Sequence, residues 1–141
     1  MPQNSQTDHA PSSLLTYPKP SEPFYLFHKA SWQYLVDSGD KIDDDYLAVI
    51  TSKPTLLNME WVYYPSPTVF GFGFFQQVAT GRFMQKYTKG DSDLIKMVSV
   101  QDISVLNDTH LFAFFSDSAI IKHRSGQFVH PQGDTSYPQT G

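Results

Sequence analysis

Val69-Phe70-Gly71-Phe72-Gly73-Phe74-Phe75-Gln76-Gln77-Val78-Ala79-Thr80-Gly81-Arg82-Phe83-Met84-Gln85 reads as an apolar strand, a polar turn closing on Thr-Gly, and then a polar residue, Phe, an apolar residue and a polar one. Ala119-Ile120-Ile121-Lys122-His123-Arg124-Ser125-Gly126-Gln127-Phe128-Val129-His130 runs through the same order, with Ser-Gly closing its turn. A weaker copy is Trp32-Gln33-Tyr34-Leu35-Val36-Asp37-Ser38-Gly39. The turn glycines stand at 39, 81 and 126, which are 42 and 45 residues apart. An aromatic run precedes each copy: Phe24-Tyr25-Leu26-Phe27, Trp61-Val62-Tyr63-Tyr64 and Leu111-Phe112-Ala113-Phe114-Phe115. A repeat of that length marks an architecture assembled from units that cannot bury their apolar faces alone. Three units of roughly four strands predict an all-β chain folded as a β-trefoil. The three would close a small barrel about a pseudo-threefold axis and remove exposed strand edges. Chance alignment of Phe-rich strands in another all-β fold, such as a sandwich, is the competing reading.

Composition points the same way. The chain has 141 residues, 40% hydrophobic and 15% aromatic, enough for one core, and only 17% charged. Short runs rich in aromatic and β-branched residues alternate with clusters such as Pro65-Ser66-Pro67, Lys89-Gly90-Asp91 and Ser116-Asp117-Ser118, the pattern of many short strands. The expected organisation is a flexible tail over 1–13, a single domain over 14–132 and a loose segment over 133–141. Leu14–Tyr17 would be a strand that seals the barrel by bringing the chain ends together. A partner chain, or a longer parent chain, could supply that pairing instead.

Ten Lys and Arg against fourteen Asp and Glu give a formal charge of −4, so the basic surface that nucleic-acid binding needs is missing. The absence of Cys removes disulfides, Cys-liganded zinc and thiol nucleophiles. Met1 to Pro11 holds no signal-peptide core, and no run approaches the ~18 apolar residues of a membrane helix. The expectation is a soluble protein without membrane insertion, of undetermined compartment.

Ile121-Lys122-His123-Arg124-Ser125-Gly126-Gln127-Phe128-Val129-His130-Pro131-Gln132-Gly133-Asp134 resembles the repeat hallmark of the mussel-type β-trefoil lectins, Ile-Lys-His-x-(x)-Ser-Gly-Lys-x-Val-His-Pro-x-Gly-Gly. The resemblance is close over these fourteen residues and only a pattern elsewhere. It implies a lectin for galactose or N-acetylgalactosamine, with up to three equivalent sites, no catalysis and no cofactor. Its partners would be glycans, and a homodimer is compatible with it. Carried over by position, the hallmark His is His130 and the first hallmark Gly is Gly133. Asp134 replaces the second Gly, which places a side chain where the sugar would approach backbone.

The family also uses a later Asp-x-His, which Asp108-Thr109-His110 resembles. By the same logic that element completes the site begun by the second hairpin, where Gln85 and Gly90 stand in a segment, Gln85 to Asp91, that has lost the His-Pro-x-Gly-Gly pattern. The site begun at His130 would be completed by Leu15–Ser21, which contains no Asp-x-His. Neither site carries the full family set. The runner-up is accordingly a trefoil scaffold without sugar binding, acting through protein contacts or within a larger assembly.

Plainer readings stand beside these. His123 and His130 could be polar residues on a solvated hairpin, and Asp108-Thr109-His110 could be an Asx turn introducing a strand. Asp43-Asp44-Asp45 lacks the ligand spacing of a calcium loop and reads as solvated. Gly71 and Gly73 follow no phosphate-binding pattern and suit a bulge or a close approach. The aromatic runs read as core. No nucleophile elbow, metal-binding helix or triad signature accompanies the histidines, so an enzyme is not expected.

Overall fold

The computed structural model describes residues 19–28, 31–42, 44–53, 59–90, 92–115, 120–127, 129–130 and 139–140. Their strands are β1 (Phe24–Tyr25), β2 (Phe27–His28), β3 (Gln33–Ile42), β4 (Asp45–Thr51), β5 (Glu60–Pro65), β6 (Gly73–Gln77), β7 (Phe83–Lys89), β8 (Ser92–Val98), β9 (Phe112–Phe115), β10 (Ile120–His123), β11 (Val129–His130) and β12 (Gln139–Thr140). Two three-residue 3-10 turns, Ile103–Val105 and Asp108–His110, are the described helical elements. Among the described residues no helix is long and apolar enough to cross a membrane.

All pairings are antiparallel and join the strands into one sheet with the path β10-β9-β6-β7-β8-β4-β3-β2. The sheet curls back on itself through Leu26. On one side of that residue β1 pairs with β5, which pairs with β6; on the other β2 pairs with β3. The Leu26 carbonyl accepts the Leu35 N–H at 2.8 Å. The result is a nearly closed, barrel-like sheet, which leaves few free edges.

The interior is shared along the length of the chain. Leu26, Leu35, Ala48, Ile50, Trp61, Phe75, Met84, Ile95, Met97 and Phe112 form one buried cluster, with Phe24, Tyr46, Tyr63 and Val129 against it. Phe75 lies at its centre, edge-on to Phe24, Tyr63 and Phe112 at 6.0, 5.1 and 6.3 Å. Trp61 is fully buried and its indole N–H donates to the Leu35 carbonyl at 2.9 Å, so the large ring leaves no orphan donor. A second cluster of Phe74, Phe83, Leu106 and Leu111 anchors the 98–111 connection to the outside of the sheet.

The three repeat glycines all have positive φ: Gly39 +74°, Gly81 +72° and Gly126 +95°. A buried polar side chain precedes each and accepts an N–H of the same turn. Asp37 takes Gly39 N–H at 3.1 Å, Gln77 takes Thr80 N–H at 3.0 Å, and His123 Nδ1 takes Ser125 N–H at 3.1 Å. The second and third are tight turns between strands, with backbone bonds Gln77 N to Arg82 O and His123 N to Gln127 O. Gly39 differs from expectation. It lies in a bulge inside β3, where pairing to β4 shifts between Asp37 and Lys41, because β3 runs on to Ile42 before it turns.

Further differences from expectation lie in the second and last segments. Val69–Phe72 is a turn rather than strand, because Ser66 Oγ accepts the N–H groups of Thr68 and Val69, and Gly71 turns the chain at φ +83°. Gly73 fulfils the close-approach reading: a Cβ there would stand 2.3 Å from the Tyr64 carbonyl oxygen. The 133–141 segment, expected to be loose, contains β12, which pairs with β11 and with Leu94 of β8. The proposed N-terminal strand Leu14–Tyr17 lies outside the described residues.

The first aromatic run is not all core. Tyr25, Phe27 and Trp32 are 53%, 39% and 74% exposed, with Phe27 packed on Tyr34 at 4.8 Å and edge-on to Trp32 at 5.6 Å. Alternation along the strand turns Leu26 inward and its two neighbours outward.

Candidate functional site

Asp108-Thr109-His110 folds as a single 3-10 turn because Asn107, just before it, caps it. The Asn107 side chain accepts the Thr109 N–H at 2.9 Å, and in return His110 Nδ1 accepts the Asn107 N–H at 3.0 Å. An Asx turn is present, but its accepting side chain is Asn107 and not Asp108. His110 is only 6% exposed and is held by this exchange, whereas Asp108 and Thr109 face outward.

The turn leans on β7 and β10. Gln85 Nε2 on β7 donates to Thr109 Oγ1 at 3.0 Å, and His123 Nε2, at the end of β10, donates to the Thr109 carbonyl at 3.0 Å. His123 is 4% exposed and stacks edge-on against Phe112 at 4.9 Å, so it is an interior residue and not part of a solvated hairpin. With Nε2 donating to a carbonyl and Nδ1 accepting from Ser125, it is the neutral Nε2–H tautomer. Burial, more than any neighbouring charge, holds the imidazoles of both His110 and His123 below the ordinary histidine range, and both are uncharged at neutral pH.

Around this frame lies an open depression of about 420 Å³, lined by Lys86, Asp108, Thr109, His123, Arg124 and Ser125. The turn that carries Arg124 and Ser125 is fixed by the Arg124 N–H, which donates to the Leu111 carbonyl at 2.9 Å, and by Gly126. The guanidinium of Arg124 lies 5.5 Å from the centre of the Phe72 ring. A carboxylate, two hydroxyls and two cations thus converge on one concavity over a rigid, uncharged floor. Such a set can grip hydroxyls and anionic groups. Among the described residues no three His, Asp or Glu side chains are grouped to hold a metal ion.

The expected site residues separate into three groups. Gln85, Asp108 and His110 do come together, as the second-hairpin assignment requires, although His110 serves the turn from within. Gly90 does not join them: it is at the tip of the β7–β8 hairpin at φ +60°, about 17 Å along the strand from Gln85. His130 is a strand position, its backbone paired with Gln139, and Gly133 and Asp134 lie outside the described residues. Lys86, Thr109, Arg124 and Ser125 are lining residues that the motif left unassigned. Their signal was adjacency, since each directly neighbours Gln85, Asp108, His110 or His123 in the chain or within one residue of it.

No family model and no curated protein matches the chain. Among solved structures, the crystal structure of the Haemophilus ducreyi cytolethal distending toxin is similar to it, with 17% identity and a TM-score of 0.53 over 97% of this chain and 77% of that chain. At that identity the likeness is one of fold, and it extends over nearly the whole sequence.

Proposed function

We propose that the chain is a non-catalytic carbohydrate-binding protein of β-trefoil architecture, taking galactose-type glycan ends in the depression between Gln85, the Asp108–His110 turn and the Arg124–Ser125 turn. The trefoil reading is supported by the positive φ of the three repeat glycines, each served by a buried polar side chain, and by a core that draws on all three segments. The observation that carries the sugar reading is the convergence of Asp108 and Thr109 with Lys86 and Ser125 on one open concavity. Sugar hydroxyls need donors and acceptors fixed before binding, and here the backbone beneath them is pinned by three histidine hydrogen bonds.

A glycan array tests it. Binding to galactose-terminated glycans, competed by free galactose and lost in Asp108→Ala, supports the proposal. Silence across the array from a folded protein removes it. Asp108 is a better probe than His110, because it is exposed and its loss leaves the turn's cap in place. A scaffold working through protein contacts is the second reading, favoured by the exposed cluster of Tyr25, Phe27 and Trp32.

A further inference from the structure

The charges around the depression carry the sugar reading one step further. Among the described residues, Arg82 is paired with Asp37 at 2.7 Å and Lys96 with Asp45 at 3.1 Å. Lys86 and Arg124, the two cations that line the depression, form no ion pair with any of the described residues. Asp108 is the one carboxylate among the lining residues, and His123 adds no charge, being kept neutral first by burial and secondarily by Lys86 itself. The depression thus has a local excess of positive charge on a chain whose formal charge is −4. The two cations are also fixed differently. Lys86 is half-buried on a paired strand, and Arg124 is held by its backbone bond to Leu111 and by the Phe72 ring.

A neutral sugar would offer neither cation a counter-charge, whereas an acidic one supplies it. We infer that the glycan taken here bears an anionic substituent, a carboxylate or a sulfate ester, held by Lys86 and Arg124 while Asp108 accepts a ring hydroxyl. This rests on the sugar-site proposal and narrows its ligand class. Charge-assisted hydrogen bonds of this kind are about twice as strong as neutral ones, so the charged group should raise affinity roughly tenfold.

Titration calorimetry on the full chain with lactose, sialyllactose and sulfated lactose, at about 50 and about 500 mM salt, tests it. The expected result is that at least one acidic sugar binds roughly tenfold tighter than lactose, that high salt shrinks the difference, and that Lys86→Gln with Arg124→Gln brings the acidic-to-lactose affinity ratio close to one. Which acidic sugar wins identifies carboxylate or sulfate. Lys86→Arg should keep the preference. Equal, salt-independent binding of all three sugars overturns the inference and leaves the sugar site standing. Binding of inorganic sulfate as tight as that of sulfated lactose overturns it as well, and binding of none of the sugars removes both proposals.

Discussion

Asp37 is the residue on which the first and second segments depend together, and Asp37→Ala should be among the most destabilising single changes in the chain. Its side chain is fully buried; Oδ2 accepts from Arg82 Nε at 2.7 Å and from Thr80 Oγ1 at 2.7 Å, and Oδ1 accepts the Gly39 N–H at 3.1 Å. Removing one partner of a buried ion pair costs about 3–5 kcal/mol, because the remaining charge is stranded. Two further donors lose their acceptor, each worth about 1 kcal/mol. Arg82 offsets part of this, since its side chain retains 14% exposure and its guanidinium lies 3.7 Å from the centre of the Tyr46 ring. The net expectation is a loss of about 3–4 kcal/mol. With about 2.1 cal/mol/K of unfolding entropy per residue over 141 residues, that lowers Tm by about 10–14 °C. Urea denaturation with an unchanged slope reads the loss directly. The coupling is tested by Asp37→Leu combined with Arg82→Met, which should cost less than the two single changes summed, by about 2 kcal/mol or more. A loss under about 1 kcal/mol for Asp37→Ala, or simple additivity in the cycle, would mean that Asp37 does not tie the two segments together.

Gly73→Ala drives a methyl group to 2.3 Å from the Tyr64 carbonyl and 2.7 Å from the Tyr63 ring, at a position paired to strands on both sides, and should cost at least about 3 kcal/mol by chemical denaturation. Gly126→Ala meets no neighbour within 4 Å but holds φ at +95°; it should lose about 1–2 kcal/mol, and D-alanine at the same position should recover most of it. Acid should weaken the fold through His110 and His123. Both are neutral when folded, while in the unfolded chain they take up protons near the ordinary value of 6.5. Stability is therefore full above that pH and falls below it, by up to about 1.4 kcal/mol per pH unit for each imidazole until the lowered folded pKa is reached. His123→Gln should flatten the stability–pH curve below pH 6.5.

The strand content was legible because aromatic and β-branched runs broken by Pro, Gly and Asp admit little else, and the glycines at 81 and 126 mark tight turns in the sequence as in the structure. Gly39 was misplaced for a nonlocal reason. Asp-Ser-Gly is the same local signal whether the chain turns or bulges, and the outcome depends on Lys41 finding Tyr46 across the sheet. Val69–Phe72 failed similarly: apolar residues there pack from a turn onto the second cluster, a placement that periodicity does not distinguish from a strand. At the candidate site, Gln85 and Asp108–His110 were brought together by a motif match, but the division of labour within them was not visible. Whether a histidine faces a ligand or a backbone amide depends on its burial, and His110 and His123 are interior because Asn107, Thr109 and Ser125 supply their partners. Lys86 and Arg124 carried no signal of their own in the sequence, because a lone cation has no meaning until the groups around it are known.

The most direct test of the sugar site is an amide-resonance titration of the full chain with the galactose-type glycan that the array ranks first. A sugar seated in the depression gives saturable shifts at Gln85, Lys86, Asp108–His110 and His123–Ser125, with Phe27, Trp32 and Tyr34 unmoved. Shifts centred on that aromatic face, or a spectrum unchanged at saturating sugar, would contradict it.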